Sequence, residues 1–257
     1  MLMSHLLYNE LLLSFAAMGA GFVSAITGGS GLIMLPLLLL SGISPHFALG
    51  TSKLYTTSSL FTSAMTFFKN GFFDPRLWKL MIIATLMGSI FGVILVQLMN
   101  SVVLSKVLPF FIIAVALYFL LKKPGKNALA EDMTSGEEKH KKSILVGGLL
   151  GIYSGFFGAA TGTLYTALGM SVFKMPLLEA SAMSRFLAFI ANGTALLIFV
   201  FSRQVNYSLG LCLVITGVLG AYFGTKLTMK LSSQTIRVLI VLTSTLMGVV
   251  LLYKAWF

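Results

Sequence analysis

The chain lacks most of the chemistry on which soluble enzymes depend. A single cysteine, Cys212, among 257 residues excludes a disulfide framework and a cysteine metal cluster. Charged residues make up only 10% of the chain, whereas hydrophobic residues make up 57%, which is too much for the core of one water-soluble domain. The composition therefore predicts an integral membrane protein, in which about 20 residues per spanning helix allow at most about twelve crossings.

Acidic residues are scarce too, with 7 Asp and Glu against 18 Lys and Arg and a net charge of +11. Because membrane proteins concentrate basic residues in cytoplasmic loops, we expect no nucleic-acid partner. The sequence has no HExxH or GxxxxGKS motif and no paired intramembrane carboxylates, so we expect neither an enzyme nor an ATP-driven pump, and no metal or cofactor. Its amino terminus lacks a basic region and a small-residue cleavage site, so we expect no removable signal peptide.

Apolar segments occur in two similar series. The first comprises Leu6–Ile26, Leu32–Ser41, Pro45–Phe68, Trp78–Met99 and Val103–Leu121. The second comprises Ser143–Phe157, Leu164–Phe173, Pro176–Phe201, Tyr207–Leu227 and Thr235–Tyr253. The fourth segments agree at residue level, since GSIFG from Gly88 matches GAYFG from Gly220. We therefore predict two homologous membrane repeats, residues 1–121 and 143–257, joined by a solvated linker, residues 122–142.

The placement of charge predicts that the second repeat is inverted relative to the first. A cytoplasmic linker with one crossing per long segment places these basic residues inside: Lys69, Arg76, Lys79, Lys174, Lys226, Lys230 and Arg237. Only Lys106, Arg203 and Lys254 remain outside, together with both termini. A parallel arrangement with four crossings per half would move Lys226 and Lys230 outside. The predicted fold is therefore an all-α, polytopic membrane bundle with two inverted repeats of about five segments each.

The second segment of each repeat is too short to cross comfortably, because 10 to 13 residues reach only about 15 to 20 Å of a roughly 30 Å core. Residues 6–41 are therefore either a re-entrant hairpin or two crossings, the second of them thin. Both arrangements return the chain to the same side of the membrane, so the charge pattern leaves the choice open.

A glycine-rich break precedes each short segment. The first break is Thr27-Gly28-Gly29-Ser30-Gly31, and the second is Gly158-Ala159-Ala160-Thr161-Gly162. Irregular backbone at membrane depth is tolerated only where protein or a water-filled cavity satisfies its polar groups. Ser30 and Thr161 are expected as N-caps of short helices whose free N–H groups would face an anion. The alternative is a tight glycine turn between packed helices.

Two basic residues occur within the third segments, Lys53 in the first repeat and Arg185 in the second. A basic residue near the bilayer centre costs roughly 2.5 to 3.5 kcal/mol, which an anionic ligand would offset. The alternatives are that Lys53 extends to the membrane interface, or that Arg185 is tied to backbone carbonyls. Neighbouring polar residues indicate a ligand or, alternatively, helix packing. They are Ser52, Thr56, Ser59, Ser63 and Thr66 in the first repeat, and Ser181, Ser184 and Asn192 in the second.

Several stretches resemble the sulfite exporter TauE/SafE family of bacterial membrane permeases. They are GFVSAITGGSGLIMLP from Gly21, SPHFALGTS from Ser44 and NGFFDPRLW from Asn70, repeated loosely as GIYSGFFG from Gly151, PLLEASAMSR from Pro176 and QVNYSLG from Gln204. The resemblance covers nearly the whole chain outside the linker. It implies a secondary transporter in the bacterial cytoplasmic membrane that moves anions such as sulfite, sulfoacetate or thiosulfate.

We predict an anion permease that works by alternating access, with a midplane site between the repeats. The expected partners are a small anion and the lipid bilayer, with a coupling proton or sodium ion and a homodimer as further options. The alternatives are a non-transporting scaffold or assembly protein, a carrier of other organic carboxylates, and a carrier of cations or neutral solutes. The predicted substrate-binding residues are Lys53, Arg185, Gly28, Gly29, Ser30, Gly31, Thr51, Ser52, Thr56, Thr161, Gly162, Ser184 and Asn192.

The electrostatic argument predicts that Lys53→Ala and Arg185→Ala each weaken anion binding, because each removes one positive charge from the site. Both variants are expected to insert and fold. Thermal stabilisation by a panel of sulfur oxyanions and small carboxylates measures the effect. Unchanged affinity in both variants would contradict the assignment.

Overall fold

The computed structural model describes residues 2–104, 106–108, 136–231, 234–235 and 238–239, and for residues 2–12, 30 and 32 it describes the backbone only. Every regular element within these ranges is a helix, which confirms the all-α prediction. The elements are α1 (Leu2–Thr27), α2 (Ser30–Leu40), α3 (Pro45–Lys69), a 3-10 turn (Pro75–Trp78), α4 (Lys79–Leu98), α5 (Gly136–Phe156), α6 (Thr161–Val172), α7 (Leu177–Phe201) and α8 (Tyr207–Thr228).

These helices follow the predicted apolar segments. Within the described residues, three stretches are long and apolar enough to cross a membrane, namely Pro75–Leu98, Leu177–Phe201 and Tyr207–Thr228. The short segments form the short helices α2 and α6, of 11 and 12 residues, which reach about 16 to 18 Å. Most of the fifth segment of each repeat lies outside the described residues, as do residues 122–135 of the linker.

The last residues of the predicted linker, 136–142, are helical, because α5 begins at Gly136. Two ion pairs one helical turn apart stabilise the start of this helix, Glu137 with Lys141 and Glu138 with Lys142. These charged residues belong to a helix end that extends into solvent. Residues 136–142 are therefore the polar first turns of the second repeat.

Helices from one half pack on helices from the other. α1 packs along α8, and its counterpart α5 packs along α4. The third helices, α3 and α7, pack on each other, and each also packs on the fourth helix of the opposite half. Each of these helix pairs between the halves therefore has a counterpart in which the roles of the two halves are exchanged, as a pseudo-twofold axis requires.

The equivalent helices α3 and α7 run in opposite directions. Gly50, near the start of α3, lies against Phe199 and Gln204 at the end of α7. Further along α3, the ring of Phe61 lies 5.4 Å from that of Phe189, which is nearer the start of α7. This antiparallel arrangement of counterparts agrees with the inverted repeat that the charge pattern predicts.

The GxxxG motifs hold the outer helix pairs together. A Cβ atom on Gly88 of α4 would overlap the carbonyl oxygen of Gly148 in α5. The equivalent Gly220 of α8 faces the carbonyl oxygen of Met18 in α1 in the same way. Close backbone packing of this kind is the use that small residues have between membrane helices.

Basic and aromatic residues share one end of the bundle. The Trp78 ring lies edge-on to Phe173 at 5.0 Å between centroids, and Lys139 Nζ lies 4.6 Å from the centroid of the Trp78 ring. The α3–α4 connection, the α6–α7 connection and the start of α5 therefore meet at the same end. The predicted cytoplasmic residues Lys69, Arg76, Lys79 and Lys174 lie in or beside these connections.

Gly88→Ala is expected to destabilise the α4–α5 pair, because overpacking typically costs about 1 to 3 kcal/mol. The matched control is Gly148→Ala on the same interface, where an added methyl group meets no atom within 4 Å. The thermal unfolding midpoint of the detergent-purified protein should fall for Gly88→Ala and stay at or above the wild-type value for Gly148→Ala. Equal midpoints in the two variants would contradict the packing described for this pair.

Candidate functional site

The two glycine-rich breaks contact each other between the halves. A Cβ atom on Gly28 would lie 2.6 Å from the backbone of Gly162 and Thr163, and one on Gly162 would lie 2.6 Å from the Gly28 carbonyl oxygen. On the other side of the axis, a Cβ atom on Gly31 would lie 3.2 Å from the backbone of Gly158. The breaks are therefore a backbone-to-backbone contact that side chains would prevent.

Gly28 and Gly158 occupy equivalent places and both have positive φ, of +90° and +79°. This is backbone that residues with a Cβ atom rarely adopt. Each glycine follows the last turn of its half's first helix, α1 in one half and α5 in the other. The chain can therefore leave that helix sharply and begin a short helix within the bundle.

The prediction that Ser30 and Thr161 are N-caps is wrong. Gly29 caps α2 and Ala160 caps α6, so Ser30 and Thr161 are the first residues of their helices, one position too late to cap. The side chain of Ser30 lies outside the described part of the chain. Thr161 is 1% exposed, and its Oγ1 has no hydrogen-bond partner in the described residues.

Lys53 crosses from α3 into the other half. The residue is 2% exposed, and its Nζ donates to the Ser154 carbonyl oxygen near the end of α5 and, at 3.0 Å, to Asn192 Oδ1 of α7. Asn192 Nδ2 donates to the Ala188 carbonyl oxygen at 2.8 Å, which orients Oδ1 toward the ammonium group. The alternative in which Lys53 extends to the membrane interface is therefore wrong.

Arg185 makes the reciprocal contact from α7, and it is 1% exposed. Its NH2 group donates to the carbonyl oxygens of Ala25 at 2.9 Å and Ile26 at 3.2 Å, in the last turn of α1, while NH1 donates to Ser184 Oγ at 2.8 Å. The Nε atom has no hydrogen-bond partner in the described residues. The backbone-carbonyl alternative for Arg185 is therefore what the structure shows.

Each basic side chain thus lies at the carboxyl end of the first helix of the opposite half. The last carbonyls of a helix have no intrahelical partner and carry partial negative charge, which stabilises a cation there. Glycine makes this approach possible, because a Cβ atom on Gly158 would overlap Lys53 Nζ and one on Gly28 would lie 2.9 Å from Arg185 NH1. The breaks and the cations therefore form one arrangement.

No described carboxylate neutralises these two cations. The acidic side chains that the structure describes, Asp74, Glu137, Glu138 and Glu179, are all exposed, and the ion pairs among them are with Lys141 and Lys142. Carbonyl, hydroxyl and amide oxygens solvate the two charges without cancelling them. Among the described residues, no group of three or more His, Cys, Asp or Glu could hold a metal ion. In the described part of the chain, the two charges are therefore held by neutral groups alone.

The other predicted site residues do not all lie at the same place. Gly28, Gly31, Thr161, Gly162, Ser184 and Asn192 lie at the junction of the breaks or contact the cations, and Gly29 belongs to the first break. Thr51 lies elsewhere, because its Oγ1 accepts from the Asn206 backbone N–H at the start of α8. Ser52 and Thr56 are buried on α3, and Thr56 Oγ1 has no partner in the described residues.

Three residues at the junction escaped the sequence reasoning. Ser154 supplies the carbonyl for Lys53, Thr163 Oγ1 donates to the Thr27 carbonyl oxygen at 2.7 Å, and Thr166 Oγ1 donates to Ser184 Oγ at 2.8 Å. Each of Gly28 and Gly158 follows the last turn of its half's first helix, and Ser154 lies in that last turn of α5. Alignment of the two glycines would therefore have directed attention to Ser154. Thr163 and Thr166 give no such signal, since threonine often bonds within its own helix.

Comparison with known proteins gives one consistent result. The sulfite exporter TauE/SafE family model matches residues 13–251. The chain is 32% identical to the probable membrane transporter protein YfcA of Escherichia coli (strain K12), over 95% of this chain and 89% of that protein. It is 30% identical to a probable membrane transporter protein of Haemophilus influenzae, over 93% and 92% of the two chains. No solved structure matches significantly.

Proposed function

This chain belongs to the sulfite exporter TauE/SafE family, and we propose that it is a secondary transporter of small anions with sulfur oxyanions as its preferred solutes. The family and the names of the relatives make it a multi-pass membrane transporter. Sulfite, thiosulfate and sulfoacetate are the proposed solutes. The cytoplasmic membrane of a bacterium is the proposed location, with residues 122–142 on the cytoplasmic side.

The observation that carries this proposal is the pair of buried cations without a described carboxylate. Removing one charge from water is costly, and neutral oxygens offset only part of that cost. A small anion between the breaks would supply the missing negative charge to Lys53, to Arg185 or to both. A carrier of cations would need the opposite arrangement, with Asp or Glu at the junction.

The packing supports alternating access as the mechanism of this proposal. The contacts that the cations make run between halves, so a motion of one half against the other changes them directly. An anion that draws Lys53 or Arg185 away from the helix ends would weaken the closed arrangement of the breaks. In this mechanism the solute binds at the pseudo-twofold axis, where both halves contribute residues.

Asn192→Asp tests the electrostatic basis of transport. The new carboxylate would lie beside Lys53 and neutralise it, so the protein should fold while uptake of labelled sulfite into proteoliposomes falls about tenfold or more. Gln97→Glu is the matched control, because this side chain hydrogen-bonds Gln204 at the other end of the bundle from Trp78. Wild-type flux in Asn192→Asp, or no anion flux in the wild-type protein, would contradict the proposed function.

Cysteine labelling tests the proposed orientation. Cys212 is the only cysteine in the chain, so Cys212→Ser provides a background for single introduced cysteines. Arg76→Cys and Lys139→Cys should react with a membrane-impermeant maleimide only after the cells are opened, whereas Arg203→Cys should react in intact cells. The reverse pattern would overturn the orientation and leave the fold unchanged.

A further inference from the structure

Two buried polar groups without a described partner lie near the amino end of α6, and the others, on Thr56, Thr57 and Ser59, lie on α3. Thr161 is the first residue of this 12-residue helix, and its Oγ1 is buried without a hydrogen-bond partner in the described residues. Arg185 Nε, on the neighbouring helix α7, is also buried without a hydrogen-bond partner in the described residues. Buried polar groups in native proteins are usually satisfied, so an unpaired hydroxyl and an unpaired guanidinium N–H near one helix end need an explanation.

Gly28 connects these groups in space. A Cβ atom on Gly28 would lie 2.9 Å from Arg185 NH1 and 2.6 Å from Thr163 N and the Gly162 carbonyl carbon. The guanidinium group and the first turn of α6 therefore lie close together, at the place that a side chain on Gly28 would occupy. Thr166, one turn further along α6, continues the contact through Ser184 Oγ, which accepts from Arg185 NH1.

The hydrogen bonds of Arg185 show which donor remains. NH2 donates to the carbonyls of Ala25 and Ile26, and NH1 donates to Ser184. Nε–H has no acceptor among the described residues, and NH1 uses one of its two N–H groups. The first hydrogen bond that closes α6 runs from Leu164 N to the Ala160 carbonyl oxygen, so the N–H groups before Leu164 have no acceptor within the helix.

The equivalent position in the other half differs. Lys53 donates to the Ser154 carbonyl and to Asn192 Oδ1, and Asn192 is itself held by Ala188 and Ser154. The neighbours of Lys53 Nζ are therefore protein oxygen atoms that accept hydrogen bonds from it. Arg185 Nε therefore has no acceptor in the described part of the chain, whereas Lys53 Nζ has two.

We propose that the oxyanion headgroup of the substrate binds at the amino end of α6, where its oxygens accept from Arg185 Nε, the Thr161 hydroxyl and the first-turn N–H groups. This inference rests on the proposed function and adds to it the position of the headgroup. A helix amino end beside a guanidinium group favours an oxyanion through both its partial positive charge and its free donors. Lys53 then adds positive charge from the opposite side of the axis.

Thr161→Val tests the subsite, because valine keeps the shape of threonine and removes its hydroxyl. Sulfite affinity, measured by calorimetric titration of the detergent-purified chain, should fall about tenfold or more, the usual effect of losing a hydrogen bond to a charged ligand. Thr161→Ser should restore affinity. Thr161→Ala tests the same hydroxyl with a smaller side chain if the valine variant fails to fold.

The matched control is Thr57→Val on α3, which removes another buried hydroxyl that has no partner in the described residues. The methyl group of Thr57 lies toward Gly193 of α7. Its affinity for sulfite should equal that of the wild-type protein. Unchanged affinity in both the valine and alanine variants of Thr161 overturns the subsite and leaves anion transport standing. A wild-type protein that binds neither sulfite nor thiosulfate overturns the proposed function together with the subsite.

Discussion

A charge that is buried in a membrane protein must be solvated by the protein itself, and the arrangement between the two halves follows from that requirement. Lys53 and Arg185 obtain this solvation from the carboxyl ends of α5 and α1, whose last carbonyls have no partner within their own helices. The helices must end inside the bundle for this to work. Gly28 and Gly158 end them there and leave space for the cations.

The same requirement explains why the breaks and the third helices come from opposite halves. Lys53 of α3 is paired with the end of α5, and Arg185 of α7 is paired with the end of α1. The antiparallel packing of α3 on α7 brings both reciprocal contacts to the junction. The hydroxyl residues of α3 have different surroundings. Ser63 accepts a hydrogen bond from Thr225 Oγ1 of α8 and so contributes to helix packing, whereas Ser52 directly precedes Lys53 in the chain.

The sequence allowed the helices to be predicted because apolar runs and their interruptions are local properties. The bounds of α2, α3, α7 and α8 lie within a few residues of the predicted segments, and the close packing of Gly88 and Gly220 follows from their spacing. The partners of Lys53 were not predictable in this way, because they come from another half and depend on which face of α3 meets α7. Thr51 shows the same limit, since it precedes Lys53 by two residues and its hydroxyl accepts from Asn206 at the start of α8.

The reciprocal contacts, in which the basic side chain of each half lies at a helix end of the other half, have an implication for how such a chain arises. One half alone would hold a basic side chain without its solvating helix end, and a helix end without its cation. Two copies of that half, inserted in opposite orientations, would satisfy each other through the same isologous contact. If such a homodimer came first, duplication of its gene and fusion of the two copies would therefore keep these reciprocal contacts. Only afterwards could the two sides diverge, one retaining an ammonium group and the other a guanidinium group.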